Sequence, residues 1–569
     1  MLNHNPVFQP ANLAIRNAWF SGGIEWNIGQ LGHTFDTCSP IFSAQIAGLE
    51  GEPALRFYGF ERCKGLFWQI DFFLPPGSEF LIAHTRVMNP NPKESSMYWW
   101  TNTAVPEAPD VRVLAPTNTA LYLDHASGGF GLGTMPFLPS LDGDDASYSL
   151  NFPFANEYFL QCEKADMPWE AALDGNGCGF IEASTPRLAY RKMFCWGSHQ
   201  GGRHWQEFLS PGGEPYLEIQ AGLAPTQLHG LVMPPDSEWD WMQVFGYMKA
   251  DANIVHGDDW QQAWQHVDGL LKLHMPVERL DSLQAQSAGL AKQRPQKVLS
   301  AGSGWGALEM VRRISQSGRQ DWMEAFDFPA DTLGVEQQTW LGLLKTGAYA
   351  PSTIDGNQAN WMVQEEWFEL LKASIQLPEN ENWAAWLHLG VMLMERFDLE
   401  GAEKAWRRSI ELQPNWLAYR NLAVAAQRRQ QTELMHAYYQ KAWQTIDPTR
   451  LSLAFVREYL HSLWEQQEYG RALELYNQLP SEIQDDDRVQ IYRAFLALHF
   501  AEYGLLEKIL GREFAIVREG ETNLTDIWFE MWTRQLAEQM GQAVDDDVRG
   551  QVKKLYPPPA SIDFRSISS

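Results

Sequence analysis

The sequence is poor in cysteine, in basic side chains and in long apolar runs. Its five cysteines (Cys38, Cys63, Cys162, Cys178, Cys195) are odd in number and widely spaced, with no C-x-x-C pair. Neither a zinc ribbon nor a thioredoxin motif is therefore expected. Unpaired thiols suit a reducing compartment, so the expected localisation is cytoplasmic. Lys and Arg number 44 against 71 Asp and Glu, a formal net charge of −27. No basic stripe exists to displace phosphate counterions, which argues against nucleic acid as a partner. The same deficit argues against an anionic lipid surface. No stretch of about 18 apolar residues appears, so no membrane span is expected. The start, MLNHNPVFQPANLAI, has no basic segment followed by an apolar run, so no secretory signal is expected. HExxH and GxSxG are absent and the 14 histidines are scattered. No metal, no cofactor and no hydrolase triad are expected.

Aromatic residues are abundant instead. The chain has 25 tryptophans, spread along its whole length, so they do not mark a single site. At 569 residues several domains are expected. Residues from about 12 to 250 read as β: LRFYGF, LFWQIDFFL, EFLIAHTRVM, SMYWWTNTAV and YLEIQAG are separated by turn signals such as LPPGS and LDGDD. Strands at this spacing suggest a large sandwich or barrel with no long helix inside it. After about 255, apolar residues recur every three or four positions, as in DDWQQAWQHVDGLLKLH, and predict helices. From about 380, Trp386, Leu389, Gly390, Ala402, Trp406 and Pro414 fall at tetratricopeptide-repeat spacings. A second unit ends at Pro448, a third is weaker, and IYRAFLALHFAEYGLLEKIL reads as a degenerate fourth. The tail LYPPPASIDFRSISS reads as extended.

The stretch Met193–Gln220 carries the densest candidate chemistry. In its terminal YLEIQ, period-2 alternation puts Tyr216, Glu218 and Gln220 on one face and Leu217 and Ile219 on the other. Trp196, Arg203, His204 and Trp205 lie just upstream among glycines. Flat rings cover the C–H face of a sugar, while carboxylates and imidazoles bind or protonate its hydroxyls. In NAWFSGGIEWNIGQLGH, Glu25 and Asn27 face one way, Ile24 and Trp26 the other, and His33 follows. In MYWWTN, Trp99 and Trp100 point to opposite faces, and Trp100 shares its face with Asn102. GSGWGALE has glycines but no Lys-Ser/Thr ending, so it reads as the entry to a helix near Ala307 rather than a phosphate loop. Its Trp305 could still line the opening of the β-domain.

The ordered set AWFSGGIEWNIGQLGH, RVMNPNPKESSMYWWTNTAVPE, FCWGSHQGGRHWQEFLSPGGEPYLEIQAG and GSGWGALE, then repeat helices and a closing IDFR, resembles a bacterial family of unknown function. That resemblance implies a galactose-mutarotase-like β-supersandwich followed by an all-α tetratricopeptide-type array, and a carbohydrate-related role. Family members carry further strands before AWFSGGIEWN, so an N-terminally shortened sandwich is expected. The expected layout is a β-domain over 1–253, an irregular helical segment over 254–378, repeats over 379–548 and a tail over 549–569.

The leading expectation is a carbohydrate-binding or carbohydrate-active protein, a glycoside hydrolase or a sugar isomerase. Its catalytic candidates are Glu218 with Glu25, and His33 or His204. Trp196, Trp205, Arg203, Gln220, Trp100, Asn102 and Trp305 are the substrate-binding candidates. Two carboxylates would serve glycoside cleavage, and a carboxylate with an imidazole would serve ring-opening isomerisation. The alternative is a non-enzymatic scaffold whose repeats bind a protein or peptide, with Arg420, Asn421, Arg428 and Arg429 as groove candidates.

Overall fold

The structure, a computed structural model, describes Leu2 and residues 21–28, 39–124, 128–350, 360–518 and 523–566. The first strands are β1 (Ile24–Ile28), β2 (Phe42–Ala47), β3 (Pro53–Glu61), β4 (Leu66–Phe73), β5 (Phe80–Asn89) and β6 (Ser95–Met97). They are followed by β7 (Trp99–Pro106), β8 (Arg112–Leu114), β9 (Thr119–Asp124), β10 (Gly129–Thr134), β11 (Asn156–Gln161) and β12 (Trp169–Leu173). The last are β13 (Cys178–Ser184), β14 (Tyr190–Cys195), β15 (Tyr216–Gly222), β16 (Leu231–Met233), β17 (Ser237–Lys249) and β18 (Lys297–Ser300).

Among the described residues β6 and β16 pair separately, and the other sixteen of these strands form two large antiparallel sheets. One runs β1-β7-β15-β14-β11-β9-β10, the other β18-β2-β3-β4-β5-β17-β13-β12-β8. Their facing sides enclose one apolar core that includes Trp99, Trp169, Trp241, Met193 and Ile219. Alternation decides which residues enter it. Trp99 is buried there edge-on to Trp241 at 5.2 Å, while its neighbour Trp100 faces the other way.

A helix, α1 (Gln200–Leu209), interrupts the β-domain, where no helix was expected. Trp205 and Leu209 are four residues apart and bury one face, and the His199 ring accepts the Gly201 N–H as the cap. Beyond β17 come α2 (Ala252–Val255), α3 (Trp260–His274) and α4 (Val277–Leu290), whose Trp260, Val267, Leu271 and Leu280 extend the sandwich core. The chain then returns β18 to the edge of the larger sheet, paired with β2.

Next, α5 (Trp305–Ser317), α6 (Val335–Thr346) and α7 (Glu365–Ser374) cover the outer face of that sheet through Phe42, Tyr58 and Phe67. Under this cover Arg56 pairs with Asp71 at 2.6 and 2.7 Å, both fully buried. The guanidinium also donates to the carbonyls of Leu290, Gln293 and Ala325, so its remaining N–H groups are satisfied.

The remaining helices are α8 (Trp383–Glu395), α9 (Leu399–Leu412), α10 (Trp416–Arg428), α11 (Thr432–Thr445), α12 (Leu453–Glu465), α13 (Tyr469–Gln478), α14 (Ser481–Gln484), α15 (Asp487–His499), α16 (Tyr503–Leu510), α17 (Asn523–Met540) and α18 (Asp546–Leu555). Four hairpins, α8/α9, α10/α11, α12/α13 and α15/α16, share one turn. In each, the residue two beyond the first helix is left-handed: Phe397, Gln430, Gln467 and Ala501, with φ of 60°, 58°, 59° and 56°. Each turn closes with the same pair of backbone bonds, for example Gln467 N–H to Trp464 and Glu468 N–H to Leu463. This is a Schellman cap, a position that favours glycine. The degenerate fourth unit is thus a full structural repeat. The longer step from Gln430 to Gln467 arises in the connection between α11 and α12, which holds a short 3-10 turn at Pro448–Arg450.

Gly390 fits its repeat because Trp406 lies on it; a Cβ there would come within 2.2 Å of the indole. None of the four left-handed residues is glycine, so each carries a backbone cost. Gln467→Gly is expected to raise stability by about 1 kcal/mol, read as a higher denaturant midpoint with unchanged slope. An unchanged or lower midpoint would contradict the strain argument.

Candidate functional site

Antiparallel register converts the sequence patterns into rows of side chains on the outer face of the smaller sheet. One row crosses all seven strands: Glu25, Asn102, Gln220, Lys192, Phe159, Leu121 and Leu132 are successive cross-strand partners. The next row holds Ala104, Glu218, Phe194 and Glu157. On the other side of the first row, Asn27 sits opposite Trp100. The face thus grades from acidic and amide groups at the β1 edge to aromatic and aliphatic groups at the β10 edge.

Glu218 is fixed from two strands. Asn102 Nδ2 donates to its Oε2 at 2.8 Å, and Gln220 Nε2 donates to the same oxygen at 3.0 Å. Glu25 Oε1 accepts from Asn27 Nδ2 at 2.5 Å. The two glutamates share a face and stand two strands apart, roughly 10 Å between backbones. Glu218, Gln220 and Trp100 are buried, and Glu25 and Asn102 are half-buried. Beside them Lys192 Nζ contacts Glu157 Oε2 at 2.5 Å, with its ammonium between the rings of Phe159 and Phe194. Tyr98 packs on Trp100 at 5.4 Å. Lys192, Glu157 and Tyr98 were not among the sequence candidates. The polar–aromatic alternation in YRKMFC and NEYFLQ was the signal that could have found them.

Behind this face lies a buried acid. Glu170, from the opposite sheet, accepts the Gln220 backbone N–H at 3.2 Å. Glu182 is its cross-strand partner; it contacts Arg191 at 3.2 Å and accepts from Gln243. Burial pushes the Glu170 carboxyl well above its ordinary range, and the Glu182 charge adds to the push. Burial pushes Glu182 up to about 7, against the pull of Arg191.

The other sequence candidates lie elsewhere. His204 is on α1, where its Nδ1 meets the Asp563 carbonyl at 3.0 Å and its ring packs on Phe564 at 4.2 Å. Burial lowers its pKa. Trp205 donates to the Phe564 carbonyl at 2.9 Å and is fully buried. Arg203 pairs with Glu107 at 2.8 Å. His204 and Trp205 hold the C-terminal tail at Asp563 and Phe564, while Arg203, about 100° away on the helix, holds Glu107 and the Gly197 carbonyl. Trp196 stacks on Trp205 at 5.3 Å and donates to the Tyr216 hydroxyl, so it bounds the face at its α1 end. Trp305 packs under the opposite sheet, with the Arg62 guanidinium 4.2 Å above its ring. His33 lies outside the described residues.

That α1 end of the face is covered by the far end of the chain. Ala104, Trp196, Trp205 and Tyr216 share a core with Ile491 of α15, Leu506 of α16, Ile527 of α17 and Phe564. Among the described residues no group of three or more His, Cys, Asp or Glu is placed to hold a metal ion. No described helix is long and apolar enough to cross a membrane.

Residues 1–233 match the model of a family described as a domain of unknown function, DUF5107. Among solved structures, a TPR-domain containing protein from Parabacteroides distasonis aligns over 100% of this chain and 84% of its own, at 15% identity and a TM-score of 0.63. A putative aldose 1-epimerase from Klebsiella pneumoniae aligns over 42% of this chain and 55% of its own, at 11% identity and a TM-score of 0.24. One from Escherichia coli K12 aligns over 42% of this chain and 82% of its own, at 9% identity and a TM-score of 0.28. The chain joins an antiparallel sandwich, most of whose strands lie within the region that matches this family model, to a helical array of tetratricopeptide-type hairpins.

Proposed function

We propose that the outer face of the smaller sheet is a carbohydrate cleft, with Glu218 and Glu25 as its working carboxylates. The observation that carries this reading is the Asn102–Glu218–Gln220 arrangement. Two amides donate to one carboxylate oxygen, which fixes its direction on the face. Asn102 and Gln220 are placed to reach sugar hydroxyls, and Trp100 offers the flat ring. The carboxylate pair suits glycoside cleavage; of the two imidazoles that isomerisation would use, His204 is engaged with the tail.

Turnover on a panel of aryl glycosides tests this. Glu218→Gln is expected to reduce kcat/KM at least 100-fold, the usual contribution of a positioned acid or base. Asn102→Ala should give a smaller loss. Equal turnover by wild type and Glu218→Gln would remove Glu218 from the chemistry.

The scaffold reading is weaker on the side chains themselves. Arg420, one of its groove candidates, is held by Glu458 through its Nε and Nη2, at distances down to 2.5 Å. Arg429 contacts Glu403 at 2.8 Å. Groups already paired offer a peptide less.

A further inference from the structure

A second site lies in the repeat array. Helices α11 and α13 are the second helices of neighbouring hairpins, and a cleft of about 590 Å³ opens between them, within the size range of small-molecule sites. Its α11 wall is a stripe from Glu433 through His436, Gln440 and Trp443 to Gln444. From Glu433 to Gln444 the helix rises through eleven steps, about 16 Å. Its α13 wall carries Arg471, Glu474 and Gln478. Tyr459 of α12, stacked on Tyr439 at 5.0 Å, forms part of the floor.

His436 is the unexplained group. It is only 5% exposed, yet neither ring nitrogen has a hydrogen-bond partner. Buried polar groups are normally paired, so a pair of orphaned nitrogens beside a cleft needs a reason. Burial and the nearby Arg471 both disfavour its charged form, so the ring offers one donor and one acceptor.

The lining selects among ligand classes. Glu433 and Glu474 bring two carboxylates and Arg471 one guanidinium. An anion therefore meets net negative walls, and a cation meets Arg471. Gln440, Gln444 and Gln478 each present both a donor and an acceptor, which is what a hydroxyl requires of its partners. Trp443 supplies a half-buried indole, held across the mouth by its 3.3 Å bond to Gln478. The ring face suits C–H groups.

We propose that the α11–α13 cleft binds an uncharged, hydroxyl-rich ligand of disaccharide size. The site is separate from the sheet face and does not depend on the reading given to it. Calorimetric titration of the full-length Glu218→Gln protein excludes turnover, using cellobiose, maltose and lactose as probes with citrate and putrescine as charged controls, and cleft substitutions in the same background assign the binding to the cleft. At least one disaccharide is expected to saturate, and both Trp443→Ala and the exposed Gln440→Ala to weaken it at least tenfold. Gln440→Ala guards against misfolding, because its side chain leaves the core untouched. The proposal is overturned if no disaccharide saturates, if citrate or putrescine binds in their place, or if neither cleft substitution changes affinity. Binding seen in wild type but absent from Glu218→Gln would assign the sugar to the sheet face alone.

Discussion

Phe564→Ala is expected to lower folding stability by about 3–5 kcal/mol, the usual cost of deleting a fully buried aromatic ring. The ring is 1% exposed and packs on His204, Trp205 and Phe208 at 4.2, 4.9 and 5.4 Å. Its neighbours make the site rigid. The Asp563 carboxylate is fully buried and takes Arg565 at 2.7 and 2.8 Å, and the Phe564 carbonyl takes the Trp205 indole. The α1 backbone comes so close that a Cβ on Gly201 would meet the Arg565 carbonyl at 2.6 Å. With the ring gone this contact cannot close up without moving α1. Hydrogen exchange should rise first in α1 and α17, while α8 to α11 keep their protection. A loss below about 1 kcal/mol, well under the usual cost of removing a buried aromatic ring, would show that the tail merely rests on the surface.

The second large effect is a pH dependence set between the sheets. Glu170 and Glu182 hold protons in the folded protein that an unfolded chain releases above its ordinary pKa of 4.5. The folded pKa is the higher one, so stability is greatest at low pH and falls as pH rises toward it. Each group contributes a slope of about 1.4 kcal/mol per pH unit over its window. For Glu182 that window runs from 4.5 to about 7. Glu170→Gln keeps an acceptor for the Gln220 N–H and never ionises. It should match wild type near pH 4.5 and exceed it by a margin that widens as pH rises toward 7. Parallel stability curves for the two proteins across pH 5–7 would mean that Glu170 is already ionised in the fold. Glu182→Gln is the poorer probe, because it leaves the buried Arg191 without its carboxylate.

The sheet face was legible because a strand has only two sides. Placing Glu218 with Gln220, Glu25 with Asn27, and Trp99 opposite Trp100 needed nothing beyond alternation. The row joining Glu25, Asn102 and Gln220 needed the strand order, which no local pattern carries. Arg203, His204 and Trp205 were grouped with the cleft by composition. The four-residue spacing from Trp205 to Leu209 was the overlooked sign of a helix that aims His204 and Trp205 at the tail and Arg203 at Glu107. Trp305 was legible as a helix start, but not the sheet it covers. The repeats were read from Gly390 and Trp406, which touch each other. The fourth unit had lost those residues and kept only its turn geometry, at Ala501.

The bond from the Trp205 indole to Phe564 joins residues 359 apart in sequence. During synthesis the sandwich emerges early, yet the surface formed by Trp196, Trp205 and Tyr216 has no cover until α15 to α17 and then the segment around Phe564 leave the ribosome. Synthesis at roughly 5–20 residues per second leaves that apolar surface open for tens of seconds. A ribosome that stops before α15 would release a sandwich with a bare aromatic wall, and such a fragment should be a substrate for chaperones.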